Sequence, residues 1–150
     1  MLSAEQLQQR IREGIPLTRH MDFQVRELSA NAITVAADGA LNVNVHGTAF
    51  AGSLYTVCTL ALWGLVNARL PEDAELVLAE GAIRYRRPVV GDIVAHCSLP
   101  PQQLQAFLQS LAEQGRARLQ GTVEVPGTDG PAAQYSATVH ARLGAKQHSG

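Results

Sequence analysis

The stretch from Asn44 to Val66 constrains the fold of this chain more than any other. Between Ala49 and Val66 it contains no charged residue. A membrane span needs about 20 apolar residues, whereas this run is shorter and contains polar residues and glycines. Strands rarely exceed about 10 residues. The sequence therefore predicts a buried central helix over about 50–67, which the rest of the domain must surround.

The remaining sequence predicts strands around that helix. Periodicity and turn residues indicate six strands, at His20–Leu28, Ala32–Ala37, Glu75–Arg86, Ile93–Leu99, Arg116–Val125 and Gln134–Leu143. A helix is predicted at 3–14, opening with a capping box at Ser3, and an inserted helix at about 102–113. One long helix among antiparallel strands is an α+β layout, and the 150 residues are expected to form a single domain.

Three local features carry further expectations. Gly81, inside a long predicted strand, is expected to mark a bulge. The run Pro126–Pro131 is expected to connect the last two strands, and Ala145–Gly150 to be frayed.

Charge and cysteine content exclude several classes of function. The net charge of −1 implies no general attraction to nucleic acid or to an anionic membrane. The N-terminus is polar and helical, unlike a signal peptide. Cys58 and Cys97 form no disulfide framework, and the five histidines show no metal-ligand spacing. We therefore expect a cytoplasmic protein with reduced thiols and without a metal or cofactor.

The polar turn before the central helix allows two interpretations. The first N–H groups of a helix have no partner within it and attract anions and polarised carbonyls. Ala49, Ala51 and Gly52 are small enough to let a ligand approach that backbone, and Asn44 offers a donor and an acceptor. In the other interpretation, Asn44, Gly47 and Gly52 only shape a tight turn and a close helix–sheet contact.

The same turn carries the resemblance to a known family. Asn44-Val45-His46-Gly47-Thr48-Ala49, then Phe50-Ala51-Gly52, matches without a gap a motif of many hot-dog thioesterases: Asn, two residues, Gly-Thr-Ala, then His-Gly-Gly. The segment Ile83–Val89, followed by Gly91-Asp92, also resembles that superfamily. Over roughly His20 to Leu143, the resemblance implies an antiparallel sheet wrapped around the helix. It also implies a homodimer or higher homo-oligomer with the active site between copies.

Two departures from the motif bear on the chemistry. Phe50 stands where the family has His, and Thr59, nine residues further on, stands at the position of the catalytic Asp. No Asp or Glu occurs between Ala40 and Leu70. Hydrolysis of a thioester needs a nucleophile or a base that activates water, and the family's usual group is absent.

A narrower resemblance fits that absence. The run from Gly47 to Leu65 resembles the hot-dog domain of bacterial malonyl-acyl carrier protein decarboxylases, often labelled putative thioesterases. The resemblance implies release of carbon dioxide from a malonyl thioester, giving the acetyl thioester that initiates fatty acid synthesis. Electrostatic stabilisation of the enolate would do most of that work. An acyl thioesterase acting on coenzyme A or acyl carrier protein thioesters, and a non-catalytic acyl-thioester binding module, stay open as alternatives.

The resemblance assigns roles to individual residues. Asn44, Tyr55 and Thr59 are the predicted catalytic residues, and Tyr55 and Thr59 share one face of the helix because they are four residues apart. In the alternative interpretation, Tyr55 is a core tyrosine bonded to a backbone carbonyl. Arg84, Arg86 and Arg87 are expected to bind a phosphopantetheine phosphate or acidic helices of a carrier protein. In the alternative interpretation, these arginines are merely solvated. The predicted substrate-binding residues are His46, Gly47, Phe50, Ala51, Gly52, Arg84, Arg86 and Arg87.

Overall fold

The computed structural model describes residues 1–144, so the fraying expected for Ala145–Gly150 lies outside the described residues. The helices are α1 (Ala4–Gly14), α2 (Leu17–His20), α3 (Ala51–Asn67) and α4 (Pro101–Gln114). The strands are β1 (Gln24–Leu28), β2 (Ala32–Ala37), β3 (Ala74–Tyr85), β4 (Ile93–Ser98), β5 (Arg116–Gly127) and β6 (Gly130–Leu143).

The six strands form one antiparallel sheet in the order β1-β2-β4-β5-β6-β3. Helix α3 packs against this sheet and contacts β2, β3, β4, β5 and β6. Inward-facing side chains such as Val35, Val123 and Val139 close the core around Val57 and Leu65 of the helix. The predicted α+β hot-dog layout, with a sheet wrapped around an apolar helix, is confirmed.

Helix α3 is not covered on every side. Its half-exposed residues lie along one side of the helix: Gly52, Ser53, Tyr55, Thr56, Thr59 and Trp63. Trp63 ties this side to β3, because its Nε1 donates to the carbonyl of Leu76 at 2.8 Å. Within residues 1–144, no helix has the length and apolar character needed to cross a membrane.

The strand predicted to begin at His20 begins at Gln24 instead. The residues just before it form α2, a single helical turn. Thr18 explains the turn, because its buried hydroxyl donates to the carbonyl of Ile15 at 2.6 Å and its N–H bonds to the same oxygen at 2.9 Å. So short a helix has too few residues to show an amphipathic period.

Two expectations about β3, β5 and β6 were wrong in detail. The register shift in β3 lies between Leu78 and Glu80, while Gly81 pairs regularly with Ala137. The segment Pro126–Pro131 is mostly strand, because β5 continues to Gly127 and β6 begins at Gly130. A register shift between Val125 and Pro126 accommodates the proline.

Candidate active site

Asn44 organises the loop that leads into α3. Its Oδ1 accepts from the N–H groups of His46 at 2.8 Å and Thr48 at 3.2 Å. Its Nδ2 donates to Thr48 Oγ1 at 2.9 Å and to the carbonyl of Ala49 at 3.4 Å. The amide thus makes two donor and two acceptor bonds, which is about its full capacity. This geometry supports the interpretation of Asn44 as a turn-forming residue, and any ligand contact must share these bonds.

The residues between Asn44 and α3 adopt the tight conformation that the loop requires. Gly47 has a φ of 81°, a region that glycine adopts without steric cost, and its N–H bonds to the Asn44 carbonyl at 3.1 Å. His46 is exposed and contributes its backbone N–H to the loop. The loop is anchored to the neighbouring segment because the Ala49 N–H donates to the Val89 carbonyl at 2.8 Å.

The N-terminus of α3 has no side-chain cap. Phe50 is the N-cap residue, and the first bond of the helix runs from the Leu54 N–H to the Phe50 carbonyl at 3.0 Å. The helix therefore leaves the N–H groups of Ala51, Gly52 and Ser53 without an intrahelical acceptor. The exposed Phe50 ring packs against Gly52, since a Cβ on Gly52 would lie 2.6 Å from Phe50 Cε2.

A shallow cavity of about 290 Å³ lies beside this helix end. Tyr85 closes one wall and donates its hydroxyl to the carbonyl of Ala51 at 2.8 Å. The cavity is lined by Asn44, Ala49, Ala51, Leu54, Tyr85, Arg86, Arg87, Pro88 and Val89. This lining offers amide, guanidinium and backbone donors but neither a carboxylate nor an imidazole.

Tyr55 and Thr59 belong to a second group, which we call the hydroxyl cluster (Tyr55, Thr59 and Tyr135). Thr59 Oγ1 and the Tyr135 hydroxyl are hydrogen-bonded at 2.7 Å. The rings of Tyr55 and Tyr135 meet edge to face with centroids 5.3 Å apart. Both hydroxyls lie beside Gly81, where a Cβ would overlap the Tyr55 hydroxyl and lie 3.2 Å from that of Tyr135.

Burial raises the pKa of Tyr135 in this cluster and of Cys58 nearby. Burial raises the pKa of Tyr135 to about 12, partly offset by the hydrogen bond from Thr59. Burial also raises the pKa of Cys58 to about 12, and the nearby Cys97 adds to the effect. Both groups are therefore neutral at physiological pH, so neither supplies a thiolate nucleophile or a phenolate base.

Two of the predicted catalytic residues, Asn44 and Thr59, lie apart within a single chain. Thr59 lies eight residues beyond Ala51, and the helix rise of 1.5 Å per residue separates them by roughly 12 Å. Asn44 stays with the helix N-terminus, while Thr59 and Tyr55 lie with Tyr135 further along. The structure therefore brings together Asn44, Ala51, Gly52 and Phe50 at one place, and Tyr55 with Thr59 at another.

The three predicted arginines differ in their surroundings. Arg86 lines the cavity, and its Nε donates to Gln134 Oε1. Arg87 also lines it, and its N–H bonds to the Ala132 carbonyl at 3.1 Å. Arg84 is exposed and lines a neighbouring depression with Glu124. In residues 1–144 none of the three makes a salt bridge, so their charge remains available to an anion.

Sequence reasoning missed Tyr85 and Tyr135 as site residues. Tyr135 occupies an inward-facing position of β6 and is only 2% exposed. A buried tyrosine needs a hydrogen-bond partner, so its inward position was the available signal. Its contact with Thr59 depends on the sheet order, which no local pattern records. Over the described part of the chain, no group of His, Cys, Asp and Glu is arranged to hold a metal ion.

One protein family and several solved structures resemble this chain over nearly its whole length. The family described as "Putative thioesterase (yiiD_Cterm)" matches residues 4–140. A structure of a putative thioesterase from Shewanella oneidensis is 28% identical, covers 93% of this chain and 96% of its own, and has a TM-score of 0.78. A probable thioesterase from Pseudomonas aeruginosa is 22% identical, with coverages of 95% and 97% and a TM-score of 0.82.

A protein of unknown function from Chlorobaculum tepidum has the same fold, with a TM-score of 0.87 at 24% identity over 93% of this chain and 94% of its own. None of the matches described here refers to a decarboxylase. The narrower resemblance to malonyl-acyl carrier protein decarboxylases therefore gains no support from these comparisons.

Proposed function

Because the chain belongs to the family described as putative thioesterase (yiiD_Cterm), we propose that it is an enzyme that hydrolyses acyl thioesters. The observation that carries this proposal is the uncapped N-terminus of α3 beside the cavity lined by Asn44. Backbone N–H groups at that point are suited to stabilise the negative charge that develops on a thioester oxygen. The free charges of Arg86 and Arg87 suit a phosphate-bearing coenzyme A or carrier-protein thioester.

Hydrolysis needs a water molecule held near the carbonyl, and the cavity itself offers no base. The hydroxyl cluster can orient water through Thr59 and Tyr55, but Thr59 lies roughly 12 Å along α3 from Ala51 at the helix N-terminus. We propose that a second copy of the chain supplies its hydroxyl cluster to this cavity. The N–H groups polarise the carbonyl, the water attacks it, and the thiol leaves with a proton from the water.

Decarboxylation of a malonyl thioester is the second candidate, and one observation favours it. The cavity lining contains neither a carboxylate nor an imidazole, and decarboxylation needs neither. The bond between the α-carbon and the carboxylate breaks, carbon dioxide leaves, and the electron pair forms a thioester enolate. Water then protonates the α-carbon to give the acetyl thioester. In this second candidate function, the acetyl thioester that is formed would initiate fatty acid synthesis.

One incubation separates these reactions. The protein is mixed with acetyl and malonyl thioesters, each as the coenzyme A and the acyl carrier protein form, and the products are weighed by mass spectrometry. Free thiol from either acyl group supports hydrolysis. Acetyl thioester from the malonyl substrate supports decarboxylation and contradicts hydrolysis as the main activity. If the substrates stay unchanged, hydrolysis and decarboxylation are both contradicted, and a non-catalytic acyl-thioester binding module is the function that remains.

Substitution of Thr59 by Asp tests the same alternatives. The new carboxylate would occupy the position at which the family motif has its catalytic Asp, within reach of the Tyr135 hydroxyl. A hydrogen bond from that hydroxyl favours the ionised carboxylate, whereas burial favours the neutral acid. We expect slow hydrolysis to rise and decarboxylation to fall, because a carboxylate repels the malonyl group. A folded Thr59→Asp protein that decarboxylates at the parent rate would show that Thr59 does not face the substrate.

A further inference from the structure

Three arginines and a histidine lie side by side on the solvent-facing side of β5 and β6. Arg116 is the register partner of Arg142, and Arg118 is that of His140. Residues two apart on a strand share a face, so these pairs form one surface, which we call the basic patch (Arg116, Arg118, His140 and Arg142). The three arginines are exposed and His140 is half-buried.

The fold itself does not require this arrangement. Like charges directly opposite one another on neighbouring strands destabilise a sheet. Among the described residues, the only carboxylate in a salt bridge with the patch is that of Glu75, 3.7 Å from Arg142. Both partners of that pair are 71% exposed, so it adds little stability. The C-terminal end of α4 favours a cation at Arg116, but it does not account for Arg118.

The patch borders a cavity of about 370 Å³ between α4 and the sheet. Helix α4 contributes Ser110 and Gln114 to the lining, and the sheet contributes Arg116, Ala117, Arg118 and His140. A hydroxyl, an amide and two guanidinium groups offer many donors, and no carboxylate lines the space. Guanidinium groups bind phosphate oxygens through pairs of parallel hydrogen bonds.

We propose that the basic patch is a binding site for a small phosphate-bearing anion, separate from the thioester site. Arg87 lines the thioester cavity and bonds to Ala132 near the start of β6. His140 lies eight residues further along that strand, roughly 26 Å away at 3.3 Å per residue. A thioester carbonyl held at the α3 N-terminus therefore lies far from this patch in the same copy. The second site makes the protein responsive to a ligand other than its reacting substrate.

Calorimetric titration of the full chain with inorganic pyrophosphate tests the proposal. The parent protein is expected to bind, and Arg118→Gln to weaken binding about tenfold because it removes charge-assisted hydrogen bonds. The double variant Arg116→Gln/Arg118→Gln is expected to lose the binding that the patch contributes, leaving only what Arg86 and Arg87 of the thioester cavity contribute. Arg19→Gln is the matched control, because it removes one exposed arginine from α2 and should bind like the parent. All titrations are run at one ionic strength, since salt screens these contacts.

Thermal unfolding without pyrophosphate separates binding from a structural role. The patch variants are expected to unfold at the parent temperature or above it, because the substitutions relieve like-charge repulsion. A lower temperature for both would mean that the arginines stabilise the sheet and would overturn the proposal. Equal binding by all variants, or no binding by the parent up to about 1 mM pyrophosphate, would also overturn it.

Discussion

Asn44 has its side-chain amide fully engaged in the loop before α3, so its role in turnover has to be separated from its role in the loop. We expect Asn44→Ala to lower kcat/KM by about 10²–10³ with the fold intact, as for the loss of an oxyanion donor. Thr48→Val is the matched control, because it removes only the hydroxyl that accepts from Asn44 Nδ2. Kinetics and circular dichroism are measured for both variants.

The comparison between these two variants decides the role of Asn44. A loss of activity much larger in Asn44→Ala than in Thr48→Val indicates contact with the substrate. Equal losses would show that Asn44 acts only by shaping the turn.

Thr59 and Tyr135 are joined by a hydrogen bond that a double-mutant cycle can measure. Thr59→Val leaves the nearly buried Tyr135 hydroxyl without this partner, which we expect to cost about 1–3 kcal/mol of unfolding free energy. Tyr135→Phe removes the hydroxyl itself and is expected to cost about 1 kcal/mol. The double variant should be less unstable than the sum of the single variants, as chemical denaturation will show. Strict additivity would argue against the bond.

At the scale of elements, the packing of β3 against the hydroxyl cluster requires a residue without a side chain at Gly81. A Cβ at this position would overlap the Tyr55 hydroxyl, so Gly81→Ala must displace that ring. We expect a loss of about 1–3 kcal/mol of unfolding free energy, measured by urea titration. Adding Tyr55→Phe removes the overlapping oxygen and should restore much of the loss. A Gly81→Ala variant as stable as the parent would contradict this packing.

The elements also show how far the sequence could predict the structure. The bounds of α3 follow almost directly from the run without charges, because burial on most sides is a local property of the sequence. The hydrogen bonds of Asn44 reach only five residues ahead, so a turn was a predictable outcome. Tyr135 meets Thr59 across 76 residues, and that contact follows from the placement of β6 in the sheet. The short α2 escaped prediction because its cause is a single threonine hydroxyl.

At the scale of the whole molecule, we expect at least a homodimer. Strand β3 is an edge of the sheet with twelve residues, many of them exposed, and proteins usually cover such an edge. The half-exposed side of α3 lies next to it. A second copy there could bring its Thr59 to the α3 N-terminus, from which Thr59 of the same copy lies roughly 12 Å away.

Light scattering at micromolar concentration measures this assembly directly. A mass near 32 kDa or above, about twice the chain mass of 16.0 kDa, is the expected result. A mass of one chain would contradict the dimer and, with it, the shared site proposed for hydrolysis.

The place of β6 in the sheet has a consequence for how the protein is made. It is the last strand of the described chain, yet it lies between β5 and β3. Full pairing of β3 with β6, its only partner among the described strands, therefore waits during translation until about 70 residues beyond Ala74 have been synthesised, since Ala74 pairs with Leu143. Until then the apolar α3 lacks part of its cover, a state prone to aggregation. Chaperone supply and the speed of translation through the codons of β6 should therefore affect the yield of folded protein.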